Sequence, residues 1–253
     1  MAGRPRWKDR VMGSAVVQFE IGGPDDRRLA DFYGALFGWE MTPIPGAGYT
    51  LIAASGAGIS GGLGHSRTGQ PWATFYAEAD DVQAMLDRAV ALGGTTVVPV
   101  TEIPGRLSYG MFSDPDGLLV GVAKHAAAGT AEREPAQAGA PVDWFEVLGS
   151  DVGATGRFYT ALFGWSVTGM TPEYALVATG VGHGIQGGLG VAAGARWATI
   201  YANVPDVPQA LDRAEELGGS REYGPQATDD HTQTGAFRDP AGNVFGVYHH
   251  AAH

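Results

Sequence analysis

Two glutamates, Glu20 and Glu146, stand at matching places in two similar stretches of one chain. Each lies in an alternating, strand-like run. Val16, Gln18 and Glu20 fall on one face of the first, opposite Val17, Phe19 and Ile21. Trp144, Glu146 and Leu148 fall on one face of the second, opposite Phe145 and Val147. A carboxylate on an apolar wall loses hydration, which raises its pKa and suits it to general-base chemistry. At the mouth of a cavity, solvated or paired with arginine, the same group has no such role. Other chemistries are excluded by composition. The chain has no cysteine, which removes thiolate nucleophiles, disulfides, Cys-ligated zinc and iron–sulfur clusters. Of its seven histidines, His249, His250 and His253 cluster at the end, and His65, His125, His183 and His231 fall at strand ends or loops. All read as surface residues.

The 253 residues carry 16 Lys+Arg against 27 Asp+Glu, a formal charge of −11. Nucleic acid and anionic membrane surfaces both call for a basic footprint, so neither is an expected partner. No apolar run approaches the ~20 residues of a membrane span. The basic start, Met1–Arg10, is not followed by an apolar signal core. The expectation is a soluble, cytoplasmic protein. Its 40 glycines are about twice the usual ~7% share, which implies many turns and close backbone approaches.

The positions of these residues follow from a repeat. Phe32–Trp39 (FYGALFGW) returns as Phe158–Trp165 (FYTALFGW), Gly61–Gly64 (GGLG) as Gly187–Gly190, Trp72-Ala73-Thr74 as Trp197-Ala198-Thr199, Leu86–Ala89 (LDRA) as Leu211–Ala214, and Asp114–Gly117 (DPDG) as Asp239–Gly242 (DPAG). Five matches in one order at one offset make the chain a tandem duplication. Residues 126–140, rich in Ala, Glu, Pro and Gly, read as a linker between domains at 12–125 and 141–250. Within each copy a strand, a helix and three strands recur twice. Ala15–Ile21 alternates as a strand. Pro24-Asp25-Asp26 starts a helix, Leu29, Phe32, Tyr33 and Leu36 share one of its faces, and Gly38 stops it. Strands are predicted near 39–41, 49–53, 59–63, 73–77, 95–98, 108–113 and 118–123. The helix carrying Val82, Met85, Leu86 and Ala89 ends at Gly93-Gly94. Asp114–Gly117 suits a type I turn with a glycine bulge, and Gly61–Gly64 reads as a tight strand corner.

Four βαβββ modules with the FYGALFGW helix end, the aromatic-led strand before Asp81, and a DPDG turn resemble the vicinal oxygen chelate superfamily: glyoxalase I, extradiol dioxygenases, fosfomycin-resistance enzymes and bleomycin-binding proteins. The resemblance covers about residues 14–249. It implies an α+β fold of two domains, each a curled mixed sheet forming a cup flanked by helices. Catalytic members hold a divalent metal in that cup. At the family's ligand positions this chain has Gln18, Thr74 and Gly121 in the first copy, and Trp144, Thr199 and Gly246 in the second. The Gly-rich stretches at 58–64 and 184–190 add neither acid nor histidine. Gln alone is an adequate donor; Trp offers no lone pair. No metal or other cofactor is therefore expected, and the glycines in place of glutamate are expected to open room on the cup floor.

With Gln18 on the cup face, alternation also puts Trp72, Thr74, Tyr76 and Glu78 there, and Trp197, Thr199, Tyr201 and Asn203 in the second cup, with Tyr109 near the first. The predicted ligand-binding set is Gln18, Trp72, Thr74, Tyr76, Tyr109, Gly121, Trp144, Trp197, Thr199, Tyr201 and Gly246, with Glu20 and Glu146 as candidate catalytic residues. The leading expectation is metal-independent binding of a small aromatic or apolar molecule, for sequestration, resistance or a pathway. The alternative is a glyoxalase-like lyase or isomerase using a carboxylate base, and third comes a metal-dependent dioxygenase. Four modules complete one chain, so a monomer is expected over a weak homodimer. The cups differ at Gln18/Trp144, Glu78/Asn203 and Tyr109/Thr234, which predicts pockets of unequal chemistry.

Overall fold

A computed structural model describes residues 13–126 and 139–251; residue 12, most of the linker predicted at 126–140 and His253 lie outside them. The first half runs β1 (Val16–Gly23), α1 (Asp26–Phe37), β2 (Met41–Ile44), β3 (Tyr49–Ile52), β4 (Ser60–His65), β5 (Trp72–Glu78), α2 (Val82–Ala91), β6 (Thr95–Ile103), β7 (Leu107–Ser113) and β8 (Leu119–His125). The second repeats it: β9 (Val142–Gly149), α3 (Val152–Phe163), β10 (Ser166–Thr171), β11 (Tyr174–Ala178), β12 (Gln186–Val191), β13 (Trp197–Asn203), α4 (Val207–Glu216), β14 (Ser220–Ala227), β15 (Thr232–Arg238) and β16 (Val244–His250). Each helix opens on an aspartate, Asp25, Asp81, Asp151 or Asp206, whose side chain accepts a backbone N–H of the first turn. Gly38 and Gly164 end α1 and α3 in the left-handed conformation, at φ 68° and 72°.

Each half forms one eight-stranded mixed sheet, in the orders β2-β3-β4-β1-β5-β8-β7-β6 and β10-β11-β12-β9-β13-β16-β15-β14. The expected α+β architecture is therefore present twice. β1 lies parallel to β4 and antiparallel to β5, so it joins the two modules of its half.

The buried face of each sheet turns toward the other half, and a single aromatic core runs between them. Phe75 meets Phe145 with ring centroids 4.6 Å apart, and Tyr33 of α1 lies 5.4 Å from Phe245 of β16. Phe158 of α3 lies 6.1 Å from Phe112 of β7. Hydrogen bonds cross the same boundary reciprocally. The Tyr33 hydroxyl donates to Asp239 and that of Tyr159 to Asp114, both at 3.0 Å. The indole of Trp39 donates to the Ala140 carbonyl and that of Trp165 to the Ser14 carbonyl, both at 2.7 Å. The FYGALFGW and DP-turn motifs thus join the copies to each other as well as shaping each copy.

Two expectations fail here. Strict alternation assigned Val17 to the core and Val16 to the cup. A β-bulge between Val16 and Gln18 reverses them: Val16 is in the core and Val17 is half-buried. Val142 and Asp143 follow the same pattern in the second half. Gly61–Gly64 is also not a corner but the body of β4. A Cβ on Gly61 would enter the Phe19 ring, and one on Gly62 would strike the Tyr49 hydroxyl. The glycines leave room for neighbouring rings.

Candidate functional site

The outer face of each sheet gathers around its glutamate. Register aligns Gln18 with Ser60 and Tyr76, and Glu20 with Gly62 and Thr74. Three donors from two further strands converge on Glu20. The Trp72 indole donates to Oε1 at 2.9 Å, and the Tyr49 and Tyr76 hydroxyls donate to Oε2 at 3.2 Å each. Glu20 keeps some solvent contact although protein surrounds it, on the sheet face predicted to form the bowl. In the second half Tyr174 donates to Glu146 Oε1 at 2.8 Å and Tyr201 to Oε2 at 2.5 Å, with a further polar contact from Trp144. Tyr223 stands 3.0 Å from Tyr201, hydroxyl to hydroxyl.

Burial pushes the Glu20 and Glu146 carboxyls above the ordinary range, and the surrounding donors pull in the opposite direction. Burial, followed by the adjacent carboxylate, drives Tyr49, Tyr76 and Tyr201 well above a normal phenol. These tyrosines therefore stay protonated as donors. Among the described residues neither glutamate is paired with an arginine; each is held by phenols and indoles.

The predicted site residues divide into groups. Gln18, Trp72 and Tyr76 sit around Glu20, and Trp144 and Tyr201 around Glu146. Tyr109 is half-exposed beside Tyr76, with ring centroids 6.3 Å apart. The Thr74 and Thr199 hydroxyls donate to the carbonyls of Leu119 and Val244, at 2.7 Å and 2.6 Å. Gly121 and Gly246 do not open the floor as expected. The rings of Tyr76 and Tyr201 lie directly over them, where a Cβ would have to be. Trp197 stands apart. Its indole N–H is buried with no partner among the described residues, whereas its counterpart Trp72 bonds Glu20. The cause is one residue. Trp72 rests over Gly22 and Gly64, but in the second half Leu148 replaces Gly22 and covers Gly190.

Tyr49, Tyr174 and Tyr223 are bowl residues that the sequence reading did not single out. The first two form a repeat pair, each opposite a Gly-rich strand, and that pairing was an available signal. Tyr223 had none: Val98 holds its place in the first half, while Tyr109 there faces Thr234 here. The residues at the family's metal-ligand positions do not fit a divalent cation. Trp144 has no lone pair to give, Gly121 and Gly246 have no side chain, and both threonines are engaged by backbone. No group of three His, Cys, Asp or Glu residues converges among the described residues. None of their helices is long and apolar enough to cross a membrane.

Comparison with known proteins agrees with this architecture. The sequence profile of the Glyoxalase/Bleomycin resistance protein/Dioxygenase superfamily matches residues 142–247, and that of a glyoxalase-like domain matches residues 18–123. The chain is 30% identical to the anthracycline biosynthesis protein DnrV of Streptomyces peucetius, and 29% identical to DauV of Streptomyces sp. (strain C5). In both cases 94% of each chain is covered. Among solved structures, the Mn(II)-bound glyoxalase from Novosphingobium aromaticivorans superposes with a TM-score of 0.63 at 19% identity, over 95% of this chain and 82% of that one. The 2,3-dioxygenase LapB from Pseudomonas sp. KL28 gives 0.65 at 15% identity, over 96% and 94%. At these identities the likeness is one of fold.

Proposed function

The chain belongs to the glyoxalase/bleomycin resistance protein/dioxygenase superfamily, and from that premise we propose that it binds a small, planar aromatic molecule in its bowls without a metal ion. One observation carries the reading: in both halves a carboxylate ringed by phenols and indoles stands beside ligand positions that together supply too few donors for a cation. A concavity of aromatic walls with a few fixed polar groups is the usual character of a site for an organic ligand. The full-length similarity to two anthracycline biosynthesis proteins points to an aromatic polycycle, held for sequestration, resistance or passage along a pathway. We place the protein in the cytoplasm, as a monomer or weak dimer.

The test is calorimetric titration of chelator-treated protein with an anthraquinone, alongside elemental analysis. Saturable binding that chelation leaves unchanged is expected. A stoichiometric Zn, Ni, Mn or Fe whose removal abolishes binding would overturn the proposal.

A second reading rests on the raised Glu20 and Glu146 carboxyls, which are suited to taking a proton from a bound carbon acid. Glu20→Gln and Glu146→Gln would then abolish turnover while sparing binding. Turnover by the double variant equal to wild type eliminates it.

A further inference from the structure

The two bowls hold the same carboxylate but offer different partners beside it. A carboxylate has about four acceptor positions, and three donors reach Glu20. One position is left. The next bowl-facing residue on β1 is Gln18, about 7 Å along the strand. Its amide is half-buried, and its hydrogen bond to Tyr49 is long, 3.4 Å. Its carbonyl and second N–H have no partner among the described residues, so the amide can both donate and accept. Arg67 lies in the β4–β5 loop with no ion pair among the described residues, close enough for its charge to act on the Tyr109 hydroxyl. In the second bowl Trp144 replaces Gln18, Thr234 replaces Tyr109, and the matching loop reads Val191-Ala-Ala-Gly-Ala-Arg196. Trp144 has one N–H and no acceptor, and it already turns toward Glu146.

Resting on the ligand-binding reading above, we propose that the first bowl reads a polar ring edge. It takes an aromatic ligand bearing a hydroxyl that donates to Glu20 and, about one ring width away, a carbonyl that accepts from the Gln18 amide. The second bowl, where Trp144 replaces Gln18, offers an indole face beside Glu146 and no amide to meet the carbonyl. Glu20 and Gln18 are then specificity-determining residues, because a site built to bond a hydroxyl leaves a buried acceptor unpaired when the hydroxyl is absent.

The full chain, treated with chelator, is titrated by intrinsic fluorescence with 2-hydroxyanthraquinone, 2-methoxyanthraquinone and anthraquinone. Wild type is expected to bind the hydroxy compound about tenfold or more tightly than its ether. Glu20→Gln removes that preference. Gln18→Leu weakens binding several-fold, and Gln18→Glu, which keeps the shape but exchanges the N–H for a charged acceptor, does the same. Equal affinity for all three quinones overturns the inference while the binding function stands. A preference that disappears with Glu146→Gln and survives Glu20→Gln overturns it too. No binding of any quinone removes the function and the inference together.

Discussion

The first bowl fixes its glutamate with an indole from β5, and the second with an indole contact from β9. The difference begins with one glycine. Gly22 and Gly64 let Trp72 lie flat and reach Glu20, whereas Leu148 fills that space and strands the Trp197 N–H. Trp144, in the place of Gln18, takes over as the indole partner. A third tyrosine also changes strand, from Tyr109 on β7 to Tyr223 on β14. Each bowl keeps two tyrosines at matching positions around its carboxylate but takes its indole and third tyrosine from different ones. Chemistry at such a site is thus preserved as a set of donors around one acceptor, and individual positions are free to move.

The floors should be alike, so the largest effect tests sameness. Gly121→Ala and Gly246→Ala each place a methyl inside a tyrosine ring, Tyr76 or Tyr201. Both should cost about 1–3 kcal/mol in chemical denaturation. A neutral result at either site would mean that its ring does not lie over the glycine.

The clamps between halves should differ. Asp239 Oδ2 accepts from both Tyr33 and Asn243, while Asp114 Oδ2 accepts from Tyr159, and Leu118 stands where Asn243 would. Tyr159→Phe should therefore cost up to about 3 kcal/mol and Tyr33→Phe about 1 kcal/mol. Equal losses would remove the distinction.

The tryptophans sharpen the contrast further. Trp72→Phe removes a donor from a carboxylate, at about 1.5 kcal/mol or more. Trp197→Phe removes an unpartnered buried N–H and should cost clearly less by the same denaturation curve. The smallest effect concerns pH. Both glutamates have carboxyls raised by burial, so each contributes stability below its unfolded value near 4.5 and loses it as pH rises through the higher folded value. Melting curves of Glu20→Gln and Glu146→Gln should gain on wild type as pH rises from about 4.5. A wild type that gains on the variants instead would reverse the assigned direction.

Much of this was legible in the residues. The repeat, the acidic helix start at Asp25-Asp26, the glycine stops and the alternation around Phe19 and Glu20 determine the modules, because each is a local signal. What alternation cannot register is a single inserted residue, and the bulge beside Val16 moved two side chains across the sheet. Nor can a local pattern show what a missing side chain makes room for. Gly121 read as an opening, but tertiary packing laid Tyr76 across it. Tyr49 joined the site from two strands away by reaching over Gly62, a contact set by sheet order and not by spacing along the chain.

The crossed tyrosine–aspartate and tryptophan–carbonyl bonds have a consequence for how such a chain can arise. The aromatic seam and these four bonds made by one half are returned by the other, so the covalent connection adds proximity to a cohesion the halves already share. A lone half meeting its own twin would find the same aromatic seam and the same hydroxyl latch waiting. Fusion then gains what a symmetric pair cannot have: the freedom for its two basins to drift apart.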